Sequence, residues 1–215
     1  MIIEEIMKKT VTTLSSTDTI ATAIKIMDAQ KIRHIPIVNP GNEIVGLISD
    51  RDIRDAKPSK LDFTDQKKLL DTQIIEIMVK DVITGHPLDF VEEVSAIFYE
   101  RRIGCLPIES DGKLVGIITE TDLLHTLVQL TGAHQPGSQL EVKVLNKTGV
   151  LADVVNVIKT QKVNINSVLV YPDKDPQYKV LVFRIQTMNP TGIITNLKKE
   201  GYTVMWPNIP GMHYE

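Results

Sequence analysis

"VGLISDRD", Val45 to Asp52, and "VGIITETD", Val115 to Asp122, stand 70 residues apart in the same chemical order. Each is an apolar run broken by a glycine, Gly46 or Gly116, then a hydroxyl residue, Ser49 or Thr119, and three positions later an aspartate, Asp52 or Asp122. A chain that writes such a pattern twice is built from a repeated unit, and the period bears on the fold before any single segment does. Working outward, "IRHIPIV" from Ile32 recurs as "IGCLPIE" from Ile103, and Ile6-Met7 recurs as Ile77-Met78, both at an offset of 71. The second copy is therefore one residue shorter in the turn.

Inside each copy the hydrophobic period changes along the chain. Ile20, Ala23, Ile24 and Met27 fall on one helical face, as do Phe90, Val91, Val94, Ile97 and Phe98 in the second copy. Each helix is followed by a short extended piece carrying a proline, a turn containing Gly41 or Gly112, a second strand, and a helix beginning at the aspartates. An extended segment, "VTTL" or "VITG", precedes each unit. Between the copies a polar stretch with Pro58 leads into a helical pattern through Leu69, Leu70 and Ile74.

"TGAHQPGSQ", Thr131 to Gln139, gathers glycine, proline and small polar residues and marks a domain boundary. Beyond it the periods read strand, helix, strand, strand, helix, strand, the ferredoxin-like βαββαβ order. "YPDKDPQ" forms the hairpin loop, and Asn189-Pro190 opens the second helix. The expected layout is mixed α/β (α+β): residues 1–57 and 77–131 as the two repeats, 58–76 as a linker helix, 132–138 as a second linker, and 139–215 as the terminal domain.

With 42% hydrophobic and 24% charged residues, the chain falls outside the disordered and fibrous classes. A net charge of −3 lacks the positive field that nucleic-acid phosphates require, so no nucleic acid is expected as a partner. The single cysteine, Cys105, agrees with a reducing cytoplasm. No signal-like apolar run opens the sequence and none is long enough for a bilayer, so a cytoplasmic protein without a membrane partner is expected.

A strand that ends in a hydroxyl residue and turns into a helix presents free N–H groups where an anion is favoured. Asp52 and Asp122 accept hydrogen bonds only, which suits the vicinal hydroxyls of a ribose, while Ser49 and Thr119 would face its phosphate. The same spacing is also a capping box, which stabilises a helix start by about 1 kcal/mol and needs no ligand. Asp50 and Glu120, one beside each proposed phosphate position, oppose polyphosphates, and Arg51 offsets this in the first copy only, where Thr121 stands in the second. The two copies are expected to differ in affinity, with a mononucleotide favoured over a triphosphate.

These segments resemble the signatures of the cystathionine-beta-synthase (CBS) domain pair. The resemblance implies a module of two packed CBS domains that binds an adenosine ligand (AMP, ADP, ATP or S-adenosylmethionine) as regulator, with no catalytic cofactor. By the same resemblance Ser49 with Asp52 and Thr119 with Asp122 hold phosphate and ribose, and Val11 with Ile35 and Val82 with Leu106 wall the adenine. "NKTGVLADV" and "VNINSV" resemble an ACT domain, which implies a homodimer and an amino-acid-like ligand near Gly149 and Asn164. Thr148 stands where that family often has proline, and Gly149 and Asn164 also suit turns. "HPLDFVEEVSAIFYE", "LTGAHQPGSQLEVKV", "VLVYPDKDP" and "TMNP" resemble the acetoin-utilisation AcuB family, implying a regulatory protein of acetoin or acetate metabolism with a regulated partner protein.

Two readings of other classes stand beside the sensor. One is a structural interaction module in which both hydroxyl and acid pairs only cap helices. The other is an enzyme using Cys105 with His34, which occupy matching positions in the two copies; a cysteine inside an apolar strand is ordinarily a small core residue. His86, His125, His134 and His213 lack metal-ligand spacing, and no Walker, G-x-S-x-G or G-x-G-x-x-G pattern occurs, so no metal and no enzymatic activity are expected.

Overall fold

The computed structural model describes residues 1–56 and 69–207. Residues 58–68 of the expected linker helix, 58–76, lie outside the described residues; Leu69 and Leu70 are helical, while Ile74–Glu76 is a 3-10 turn. The chain divides into two compact units, Met1–Leu124 and His125–Glu215.

The first unit holds both repeats. Helix α1 (Ile20–Gln30) starts where Thr19 accepts the Thr22 N–H, and buries Ile20, Ala23 and Met27. Strands β1 (His34–Val38) and β2 (Ile44–Ser49) pair antiparallel, and α2 (Asp50–Asp55) follows at once. The second copy repeats this with α3 (Val91–Arg101), β3 (Cys105–Ser110), β4 (Lys113–Thr119) and α4 (Glu120–Thr131). The correspondence reaches to the bulges, between Ile37 and Val38 and between Ile108 and Glu109. It also reaches to the left-handed residues that end the helices, Lys31 (φ 55°) and Arg102 (φ 53°). Phe90 departs from its expected place on the helical face: it sits at the N-cap of α3, 52% exposed, because the helix begins one residue later.

Each repeat completes its core with a segment from the start of the other. Ile3, in a 3-10 turn at the chain start, is fully buried with Val91, Val94, Phe98 and Leu106 of the second copy. Ile74, near the end of the expected linker and just before the second copy, is fully buried with Ile20, Ile35 and Ile48 of the first copy. The backbones cross reciprocally, with Lys8 exchanging both bonds with Ile117 (2.9 and 3.0 Å) and Val79 both with Leu47 (2.9 and 2.9 Å). The repeated glycines admit these crossings. A Cβ on Gly46 would lie 2.5 Å from Met78 Sδ, and one on Gly116 2.5 Å from Met7 Sδ.

The second unit carries a four-stranded antiparallel sheet in the order β6-β7-β5-β8, from β5 (Ser138–Leu145), β6 (Ile165–Pro172), β7 (Tyr178–Ile185) and β8 (Thr203–Trp206). Helices α5 (Val150–Thr160) and α6 (Thr191–Lys199) pack on one face, where Leu140, Val142, Leu181, Phe183 and Ile158 form the core. This is the expected βαββαβ arrangement. Lys143 and Asp173 (2.9 Å) tie the β6–β7 loop back to β5. Among the described residues no helix is long and apolar enough to cross a membrane.

Candidate functional site

Both hydroxyl and aspartate pairs form complete capping boxes. The Ser49 N–H and hydroxyl donate to Asp52 Oδ2 at 2.7 and 2.6 Å, and the Asp52 N–H donates back to Ser49 Oγ at 3.2 Å. In the second copy the Thr119 N–H and hydroxyl donate to Asp122 Oδ2 at 2.9 and 2.5 Å, and the Asp122 N–H returns to Thr119 Oγ1 at 3.4 Å. In each box one carboxylate oxygen does all of this. A carboxylate offers about four lone-pair positions on two oxygens, so capping a helix with Oδ2 leaves Oδ1 available to another donor. At Asp122 that donor is present: Lys8 Nζ lies 3.2 Å from Oδ1.

Two clefts flank these boxes, and each is built from both repeats. One, of about 320 Å³, brings Ser49, Arg51 and Asp52 together with Ile103, Gly104 and Cys105. The other, of about 280 Å³, brings Thr119 and Thr121 together with Val11, Ile32 and His34. These volumes lie near the lower end of the range of small-molecule sites, ~300–1,000 Å³. Val11 therefore shares a cleft with Thr119 and not with Ser49, because the crossing of chain starts carries it across the pair. Ile35 and Leu106 are both 0% exposed, in the cores of their own repeats, and line neither cleft. Val82 is half-buried and lies outside the lining of either cleft.

The acidic neighbours also fall differently from the expectation of one per cleft. Asp50 and Glu120 both line the Ser49 cleft, among Arg33, Arg51 and Arg102. The Thr119 cleft is lined instead by Lys8, Lys31 and Arg33, with Thr10 and Thr12. Lys8, Lys31, Arg33 and Thr10 escape a reading of motifs. The only signal is that Lys8 follows the repeated Ile-Met pair where the second copy has Val79.

His34 and Cys105 both line the Ser49 cleft. Burial and the nearby Arg33 hold the His34 imidazole below its ordinary pKa, against the pull of Asp50, Asp52 and Glu120. Burial, with Asp52 adding to it, pushes the Cys105 thiol up to about 12. The thiolate needed for nucleophilic chemistry is thus suppressed rather than supplied. Among the described residues no cluster of His, Cys, Asp or Glu could hold a metal ion.

The terminal domain does not bring its two predicted residues together. Gly149 precedes α5 at φ 87°, a left-handed position that explains the glycine by backbone alone. Asn164 lies beyond the other end of that eleven-residue helix, four residues past Thr160; the helix itself rises about 16 Å. It hydrogen-bonds Gln186 through its side chain (3.2 Å) and its carbonyl (2.9 Å).

Comparison with known proteins agrees with this architecture. The CBS domain model matches residues 3–59 and 74–129, just over half of the chain, and the AHAS small subunit-like ACT domain model matches residues 140–204. A structure described as an acetoin utilization protein (AcuB) from Vibrio cholerae is 29% identical, with a TM-score of 0.55, covering 63% of this chain and 98% of that one. The CBS domain pair of protein MJ0100, solved in complex with 5-methylthioadenosine and S-adenosyl-L-methionine, is also 29% identical, with a TM-score of 0.52 and coverage of 63% and 98%. Homoserine O-acetyltransferase of Methanococcus vannielii is 28% identical over 127 residues, 59% of this chain and 25% of that protein. The chain spans 25%, 42% and 22% of the lengths of three curated relatives that it matches. Repeat, clefts and terminal sheet together give one conclusion: the chain belongs to the CBS-domain family, with two CBS domains in tandem followed by an ACT-like domain.

Proposed function

We propose that the protein is a regulatory sensor that binds adenosine ligands in the clefts of its CBS pair and has no catalytic activity of its own. The observation that carries this reading is the division of labour at Asp52 and Asp122, where the bonds from Ser49 and from Thr119 all go to one carboxylate oxygen, Oδ2, while at Asp122 the other oxygen takes the exposed Lys8. A ribose hydroxyl can then bind without unwinding the helix start. A phosphate needs only rotation of the Ser49 or Thr119 hydroxyl away from its aspartate. The MJ0100 pair, with its two adenosine ligands, supports the ligand class. Val11, Arg51 and the two boxes are the proposed contacts.

Binding at the pair is relayed to the terminal domain or to a partner protein, through different affinity of the ligand for two arrangements. The AcuB neighbour supports a setting in acetoin metabolism. Homodimerisation is supported by β6, an uncharged edge strand whose Val168, Leu169, Val170 and Tyr171 are exposed. Calorimetry with AMP, ADP, ATP and S-adenosylmethionine tests the sensor: Asp52→Ala and Asp122→Ala should each remove one binding event while the fold is kept. Hydrogen exchange over residues 140–206, with and without saturating ligand, tests the relay.

The completeness of both capping boxes favours a second reading, an interaction module that binds no nucleotide. Calorimetric silence of folded protein toward every adenylate at millimolar concentration would establish it in place of the sensor.

A further inference from the structure

We propose that the two clefts take different classes of adenosine ligand: a phosphorylated one beside Thr119, and an unphosphorylated one, neutral or bearing a sulfonium, beside Ser49, with Lys8 as the residue that sets the difference. This rests on the adenosine reading above and adds which chemistry each cleft accepts.

The charges carry the argument. Around Thr119 the lining holds Lys8, Lys31 and Arg33 and no carboxylate, and the nearby Asp122 already faces Lys8 at 3.2 Å. Cations outnumber acids there even when Asp122 is counted. Around Ser49 three cations, Arg33, Arg51 and Arg102, stand against three carboxylates, Asp50, Asp52 and Glu120. A concave surface of one sign focuses its field on a ligand of the opposite sign, while a balanced one gives a phosphate no net attraction. Hydroxyl donors follow the same division. Thr10, Thr12, Thr119 and Thr121 line the cationic cleft, whereas Ser49 is the hydroxyl residue of the balanced one.

Lys8 gives the difference a mechanism. Its ammonium holds the oxygen of Asp122 that lies outside the capping box, and its side chain is 60% exposed, so the pair is weak and readily exchanged. When ribose hydroxyls take Asp122, Lys8 is released within reach of whatever the ribose carries. A phosphate replaces the lost partner; a bare 5′ position does not. The repeat-equivalent of Lys8 is Val79, on the lining of the Ser49 cleft, which has no such exchange to offer.

The test titrates the full chain with AMP, adenosine and S-adenosylmethionine, in single-cleft variants made with Asp52→Ala or Asp122→Ala, and with Asp→Asn at the same positions should an alanine variant misfold. With the Thr119 cleft alone, AMP should bind about tenfold or more tightly than adenosine, a preference that shrinks as salt rises. Adding Lys8→Met should bring the ratio close to one, and Lys8→Arg should retain it. With the Ser49 cleft alone, adenosine and S-adenosylmethionine should bind at least as tightly as AMP. Equal AMP to adenosine ratios in the two clefts, or a ratio indifferent to Lys8→Met, overturn the proposal and leave the sensor standing. Failure of all three ligands to bind the unaltered protein overturns both.

Discussion

Asp52 and Asp122 serve two purposes with different atoms, and substitutions can separate them. Asp52→Ala removes the cap acceptor and the outward oxygen together, so it should lower stability by about 1 kcal/mol, read by urea unfolding, and abolish binding in its cleft. Asp52→Asn keeps an oxygen for the cap and should restore more stability than binding. His34 should make stability depend on pH. Its folded pKa is depressed by burial and by Arg33, so its contribution to stability is complete above the unfolded value of about 6.5 and is lost as pH falls from there toward the folded value. The urea midpoint should drop between about pH 7.5 and about pH 5.5 more steeply in the unaltered protein than in His34→Gln. Cys105, with its thiol near 12, should resist alkylation in native protein at pH values where an ordinary thiol reacts. Rapid native labelling would contradict its buried environment.

At the scale of elements, the repeated glycines serve the contact between the two repeats. Strand β2 passes under the Met78 segment and β4 under the Met7 segment, and a side chain at either glycine would meet both sulfur and backbone. The Val79 carbonyl oxygen stands 3.1 Å from a Cβ on Gly46, and the Lys8 carbonyl oxygen 3.3 Å from one on Gly116. Met is flexible and can give way, but those carbonyls are held by the paired bonds of the crossing. Gly46→Ala and Gly116→Ala should each destabilise the pair by roughly 1–3 kcal/mol, the range for overpacking. Unfolding of Met78→Ala combined with Gly46→Ala should recover only part of that loss.

For the whole molecule, β6 and β8 are the two edges of the terminal sheet. They differ in kind: β8 has four residues, while β6 has eight, without a charge, and exposes four consecutive large apolar side chains. Edges are ordinarily blunted by brevity or charge, and β6 has neither protection. Val170→Lys should reduce the proposed dimer to a monomer, measured by light scattering, while leaving the proposed nucleotide binding at the CBS pair intact. A mass equal to that of the unaltered protein would overturn β6 as the dimer contact.

Local chemistry was legible in the chain itself. The repeat, the strand–turn–strand units, the capping boxes at Ser49 and Thr119, and the βαββαβ order of the terminal domain follow from period and spacing, because hydrogen bonds within helices and hairpins join residues near in sequence. Which residues meet in a cleft was not legible. Val11, in the first copy by sequence, lies with Thr119; Glu120, in the second copy, lines the Ser49 cleft; and Lys8, which belongs to no motif, reaches Asp122. Those outcomes come from the exchange of Ile3 and Ile74 between cores, a long-range pairing that burial of apolar surface selects and that a one-dimensional pattern does not encode.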